Sequence, residues 1–162
     1  MKTILKFGVL CLSDLSGACT NMTTETAKEQ ETELVFPKGN KVTNNNFTGS
    51  AWVQMFMTND STYNTSIGNV TFEPGARTNW HKHPGGQILL VTDGKGYYQE
   101  KGKPAQHIQK GDFVRIPPDT EHWHGAASDS GLTHIAINPN IDNGSVVWSQ
   151  PVTDEEYSKV NE

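Results

Sequence analysis

His81 and His83 stand two residues apart in Asn79-Trp-His-Lys-His-Pro-Gly-Gly-Gln87, and His122 and His124 repeat that spacing in Glu121-His-Trp-His-Gly-Ala126. Side chains at i and i+2 of a strand share a face. Imidazoles so placed, joined by the amide oxygen of Gln87, can offer four neutral donors to one cation: His81, His83, Gln87 and His122. Imidazole suits Fe, Ni, Cu, Co or Zn, and the harder amide oxygen suits Mn as well. None of the four donors is charged, so a divalent cation would keep its full charge, acidify a bound hydroxyl and resist a trivalent state. The set tilts toward Lewis-acid chemistry and away from redox cycling. Gln87 is the weakest donor, and it could instead hydrogen-bond a metal-bound water.

Two further histidines bear on the chemistry. His124 shares a face with His122 and reads either as a contact to substrate or to a ligand, or as a buried, hydrogen-bonded core residue. His134 interrupts the apolar run Leu132-Thr-His-Ile-Ala-Ile137, on the face opposite Thr133 and Ile135. An imidazole inside a barrel needs a partner or a purpose, and a general base is the purpose expected of His134. His107, among Gln106, Gln109 and Lys110, reads as a solvated surface residue. Trp80 and Trp123 flank ligands and should face away from them, into packing or a dimer contact. Arg77 and Glu73 are candidates for an ion pair.

The elements that must hold these residues are short strands. Alternating apolar positions mark strands over 51–58, 67–72, 87–92, 96–100, 105–108, 112–116, 133–138 and 146–148. Turn signals separate them, among them Pro74-Gly75, Pro84-Gly85-Gly86, Asp93-Gly94 and Pro117-Pro118-Asp119. With no internal repeat and no long helical period, the pattern predicts an all-β, closed double sheet of jelly-roll type. One short helix is expected at the C-terminus, where Thr153-Asp-Glu-Glu156 has the capping-box form.

The chain of 162 residues accommodates one domain with a real core, here over residues 33–162. A formal net charge of −5 argues against a nucleic-acid or anionic-membrane partner. No apolar stretch approaches the roughly 20 residues that span a bilayer. Residues 1–19 have the outline of an export signal: Lys2, the apolar run Phe7–Leu12 broken only by Gly8 and Cys11, then Ser16-Gly17-Ala18 before Cys19. Cys19 stands where a lipoprotein would be lipidated, which makes it the expected anchor of a periplasmic or lipid-anchored protein. Lys6 and Asp14 interrupt the segment, and a cytoplasmic chain with an apolar start is the other reading. Residues 20–32 are polar and read as a disordered tether.

Gly75, His81, His83, Gln87 and Gly94, then Gly111, Pro117, His122, stand at the spacing of the two cupin motifs, and the chain resembles the cupin superfamily. It departs from that pattern in having Gln87 for the usual Glu, Asp119 for Gly and Ala126 for Asn. Most of residues 70–157 further resembles the small single-domain manganese cupins with hydroxynitrile lyase activity, and also cupin domains associated with carboxymuconolactone decarboxylase-like proteins. The resemblance implies a double-stranded β-helix, manganese held by His81, His83, Gln87 and His122, His134 as base, and His124 as a further active-site histidine. It also implies a small-molecule substrate and a homo-oligomer, built through sheet contacts and an N-terminal strand such as residues 34–36. Gly68 and Asn138 differ from that group near the site. The expected function is a metal-dependent lyase acting on a hydroxynitrile-like α-hydroxy compound. A metal-dependent dioxygenase and a non-catalytic ligand-binding cupin are the alternatives.

Overall fold

The computed structural model describes residues 34–144 and 146–160. The expected export segment over 1–19, with Cys19, and the tether over 20–32 lie outside the described residues. Among the described residues twelve strands form one curled sheet, and their pairings are antiparallel. In chain order they are β1 (Asn40–Lys41), β2 (Phe47–Thr48), β3 (Ala51–Asp60), β4 (Thr65–Phe72), β5 (Arg77–Thr78), β6 (His81–Lys82), β7 (Gln87–Glu100), β8 (Gln106–Gln109), β9 (Phe113–Ile116), β10 (His122–Ala126), β11 (Leu132–Pro139) and β12 (Val147–Trp148). The principal path is β1-β3-β4-β11-β7-β10-β5-β2, with β8 and β9 also on β7, and β6 between β10 and β12. The sheet curls into a half-barrel, the expected jelly-roll class.

Strands expected over 51–58, 67–72, 105–108, 112–116, 133–138 and 146–148 are present, with ends displaced by one or two residues. Those expected over 87–92 and 96–100 are one strand, β7, and Asp93-Gly94 is no reversal. Gly94 sits at φ 71°, where a Cβ would lie 2.0 Å from the Gly131 carbonyl oxygen. The glycine bends the strand, and next to it Thr92 of β7 is skipped in the ladder, where the register shifts opposite Thr133 and His134. β7 thereby serves both halves of the barrel: its first residues pair with β9 and β11, its last with β8 and β10.

One other expectation fails. Residues 34–36 form no strand, and Val35 and Phe36 lie in a bend. Pro37 follows them and withholds a ladder donor, and the Phe36 ring settles on Phe56, with centroids 5.1 Å apart. His122 and His124 do lie on one strand, β10, all five of whose residues are buried.

The inward positions of the larger half, Val70 and Phe72 on β4, Leu89 and Val91 on β7, Val114 and Ile116 on β9, and Leu132 on β11, make one buried core. Each such side chain contributes about 1.5–3 kcal/mol relative to exposure. Further along the same inward face the residues become Gln87, His134 and Asn138, so the apolar core grades into a polar end.

A second cluster lies on the other side of β10. Trp80, Trp123, Val152 and Tyr157 pack together, as expected for residues flanking the ligands. Helix α1 (Asp154–Ser158) supplies Tyr157, and the capping box forms: the Glu156 amide donates to Thr153 Oγ1 at 3.1 Å and the Thr153 amide to Glu156 Oε2 at 2.8 Å. Arg77 does not pair with Glu73. Its guanidinium donates to the Val152 carbonyl and to Asp154 Oδ1 at 2.6 Å, while Glu73 takes Lys38 at 2.7 Å. The buried base of Arg77 turns toward α1, which offers both an acceptor and the Tyr157 ring, 4.5 Å away.

Candidate metal centre

β6 lies against β10 with His81 directly opposite His122, and their ring centroids are 4.2 Å apart. His83 follows one residue past the end of β6, and Gln87 opens β7 after the Pro84-Gly85-Gly86 turn. One ring nitrogen from each of His81, His83 and His122 lies within 4.8 Å of the others. Gln87 Oε1 sits 3.0 Å from His122 Nε2. The four ligand residues expected from the sequence therefore converge. Lys82, between two of them, turns outward to Asp119 at 2.9 Å.

Backbone carbonyls orient two of the rings. Nδ1 of His81 is 2.9 Å from the Asn79 oxygen, and Nδ1 of His122 is 2.8 Å from the Thr120 oxygen. Each carbonyl accepts the Nδ1 proton from a ring two residues ahead, so Nε2 carries the lone pair. Burial, and then the neighbouring His122, hold His81 well below the usual histidine range. Burial likewise brings His83 and His122 down to about 4, with the Thr120 carbonyl opposing the shift at His122. At neutral pH these are neutral imidazoles with free lone pairs.

That leaves acceptors facing acceptors. His122 has given its one proton to Thr120, so Nε2 and Gln87 Oε1 meet lone pair to lone pair at 3.0 Å. His83 Nε2 is buried with no partner. A divalent cation relieves both, and the donor chemistry fits one. His81, His83, Gln87 and His122 are the residues that would hold it.

His124 and His134 form a second layer. His124 lines a cavity of about 120 Å³ with His81, His83 and Gln87, whose apolar walls include Val53, Met55, Val70 and Trp148. His134 stands behind it, fully buried, its Nε2 3.2 Å from His124 Nδ1. His124 Nε2 and His134 Nδ1 are buried without partners. Burial brings His134 down to about 4 and His124 well below its usual range. A wider cavity of about 390 Å³ shares His83, Asn138 and Val146 with the inner one and includes Ser61, Ser66 and Asp142. It forms a more polar mouth. His107 is exposed, as expected, with its ring edge-on to Tyr97.

Sequence reasoning missed the wall residues. The Trp148 ring lies 4.8 Å from His81 and Phe47 lies 5.7 Å from Trp148, and neither position carried any signal of a site. Thr78 Oγ1 accepts the His124 amide at 3.2 Å, a contact that only the β5–β10 pairing reveals.

A family model described as Cupin domain matches residues 68–138, a span that takes in every ligand residue, His124 and His134. The chain is 50% identical over 91 residues to an (R)-mandelonitrile lyase of Granulicella tundricola, an overlap of 56% of this chain and 70% of that one. A cupin-like protein of Thermotoga maritima superposes with a TM-score of 0.78 at 52% identity, over 80% of this chain and 98% of that one. The chain belongs to the cupin family. A cupin-2 domain protein of Rhodospirillum rubrum shares the fold at 15% identity, with a TM-score of 0.59 over 78% of this chain and 84% of its own. In this cupin the three-histidine group and the half-barrel together point to a divalent-metal site.

Proposed function

We propose that this cupin is a metal-dependent lyase that cleaves the carbon–carbon bond of a small α-hydroxynitrile. The observation that carries the reading is the meeting of two groups at one cavity: a neutral ligand set and a bonded pair of buried imidazoles, each with one ring nitrogen left without a partner. The lyase relative supports the reaction class.

A divalent cation held by His81, His83, Gln87 and His122, manganese by preference and iron, nickel, cobalt or zinc otherwise, supplies Lewis-acid charge that acidifies the substrate hydroxyl. The residues do the rest. His124 and His134 receive the hydroxyl proton as a pair. His124 lies at the cavity wall, which supports giving it the first contact, with His134 behind it to share the charge through the Nδ1···Nε2 bond. As the O–H bond breaks, the carbonyl forms, the carbon–carbon bond to the nitrile breaks, and cyanide leaves with the bonding pair. The imidazole pair then returns the proton to cyanide. Val53, Val70 and Trp148 exclude water around the carbonyl compound and hold its apolar substituent.

The test is aldehyde release from mandelonitrile by the manganese-loaded full chain, beside the His124→Ala and His134→Ala variants. Wild-type turnover that falls about 100-fold or more in both variants supports the pair as base. No turnover with one metal bound per chain overturns the lyase reading. Oxygen consumption would replace it with a dioxygenase.

A further inference from the structure

Gln87 poses a problem that a carboxylate would not. An amide has two ends of nearly the same shape, and only the oxygen has lone pairs to give a metal. Something must keep that oxygen turned into the site.

Three adjacent strands supply the answer in one row. Asn138 on β11 faces Ser66 on β4 in register, and the β11–β7 ladder runs to Ile137↔Ile88, one residue short of the Asn138–Gln87 position. All three side chains point into the barrel near its mouth. Gln87 Nε2 donates to Asn138 Oδ1 at 2.9 Å, and Asn138 Nδ2 donates to Ser66 Oγ at 3.1 Å. Gln87 is buried, so its amide hydrogens have little access to water as an alternative partner. With the nitrogen engaged by Asn138, Oε1 is left facing His122 Nε2 at 3.0 Å. The reverse polarity would set an amide NH2 group against the cation.

We propose that Asn138 is a positioning residue for the metal centre: its side-chain carbonyl anchors the Gln87 amide nitrogen and so makes Gln87 an oxygen ligand, while Ser66 Oγ accepts from the far end of the Asn138 amide. The proposal rests on the reading of His81, His83, Gln87 and His122 as ligands. It goes beyond that reading by assigning work to two residues that are not themselves ligands. Outer partners of this kind typically set metal affinity by 10–100-fold.

The experiment is calorimetric titration of Mn2+ into the metal-free full chain. The wild type is expected to bind one ion per chain. Asn138→Leu, similar in size but unable to accept a hydrogen bond, should bind at least about 10-fold more weakly. Asn138→Asp, which still accepts from Gln87, should retain wild-type affinity or exceed it. The decisive arm is the Gln87→Glu background. Glutamate has an oxygen at both ends and needs no anchor, so there Asn138→Leu should change affinity by no more than a few-fold. Thermal unfolding of each metal-free variant checks that it is folded, and Asn138→Ala stands in if Asn138→Leu is not. Wild-type affinity in Asn138→Leu, or an equal loss in both backgrounds, would overturn the positioning role while leaving the metal centre intact. A wild type that binds no ion would overturn both.

Discussion

The two faces of β10 are built to opposite rules. Inward, His122 and His124 join His81, His83 and His134 in a crowd of neutral rings, three of which hold a buried nitrogen without a partner. Outward, Trp123 packs with Trp80, Val152 and Tyr157, and the polar atoms there are satisfied: Trp123 Nε1 donates to Gln99 at 2.8 Å, and the Tyr157 hydroxyl to the Ala126 carbonyl at 2.7 Å. The backbone is shared, and only the alternation of side chains separates the two. The lesson is that the outward face supplies the stability that lets the inward face keep its lone pairs open.

Acid should break that comparison most severely, because the inward face is the one that carries histidines. Burial holds His83, His122 and His134 at about 4 in the folded chain, against the usual 6.5. Between those values the unfolded chain binds more protons, so stability is full above pH 6.5 and is lost as pH falls toward 4. The metal-free protein is expected to unfold in that window. Circular dichroism melts across the range would show it, and a flat melting temperature would contradict it.

Trp123→Ala should come next. Emptying a fully buried indole site costs about 3–5 kcal/mol, read by urea unfolding. The molecules that remain folded should still bind metal, since the lost side chain faces away from the ligands. Addition of metal is the third and gentler test. At a free concentration 100 times the dissociation constant it should stabilise by about 2.7 kcal/mol. His81→Ala should abolish that increment, and a rise in melting temperature that survived the substitution would place the metal elsewhere.

The smallest effect concerns Asp119, which sits at φ 57° beside the site and pairs with Lys82 at 2.9 Å. Asp119→Gly relieves the left-handed backbone but loses an exposed ion pair worth about 0–1 kcal/mol. The net change in urea midpoint should stay within about 1 kcal/mol of stability, with metal affinity unaltered.

The ligand set was legible because His-x-His, a spaced Gln and a distant His are chemical types that sequence preserves intact, and strand alternation gave their common face. Depth was not legible. The two-residue period places His124 and His134 inside the barrel but does not show which of them lines the cavity. Arg77 found Asp154 rather than Glu73 because the true partner lies 77 residues along the chain, and local spacing cannot rank distant acceptors. The Asp93-Gly94 pair looked like a reversal because a bend and a turn call on the same glycine conformation.

β7 also imposes an order of events on the newborn chain. Its partners, β8, β9, β10 and β11, follow it in sequence, so the strand emerges from synthesis with no earlier edge to join. Gln87 waits 35 residues for His122 and 51 for Asn138. Such distant closures are entropically slow, and they leave the Ile88-Leu89-Leu90-Val91 stretch bare in the meantime. The ligand cluster is therefore expected to form only after the chain through His122 has emerged, with that apolar stretch open to self-association until its partners arrive.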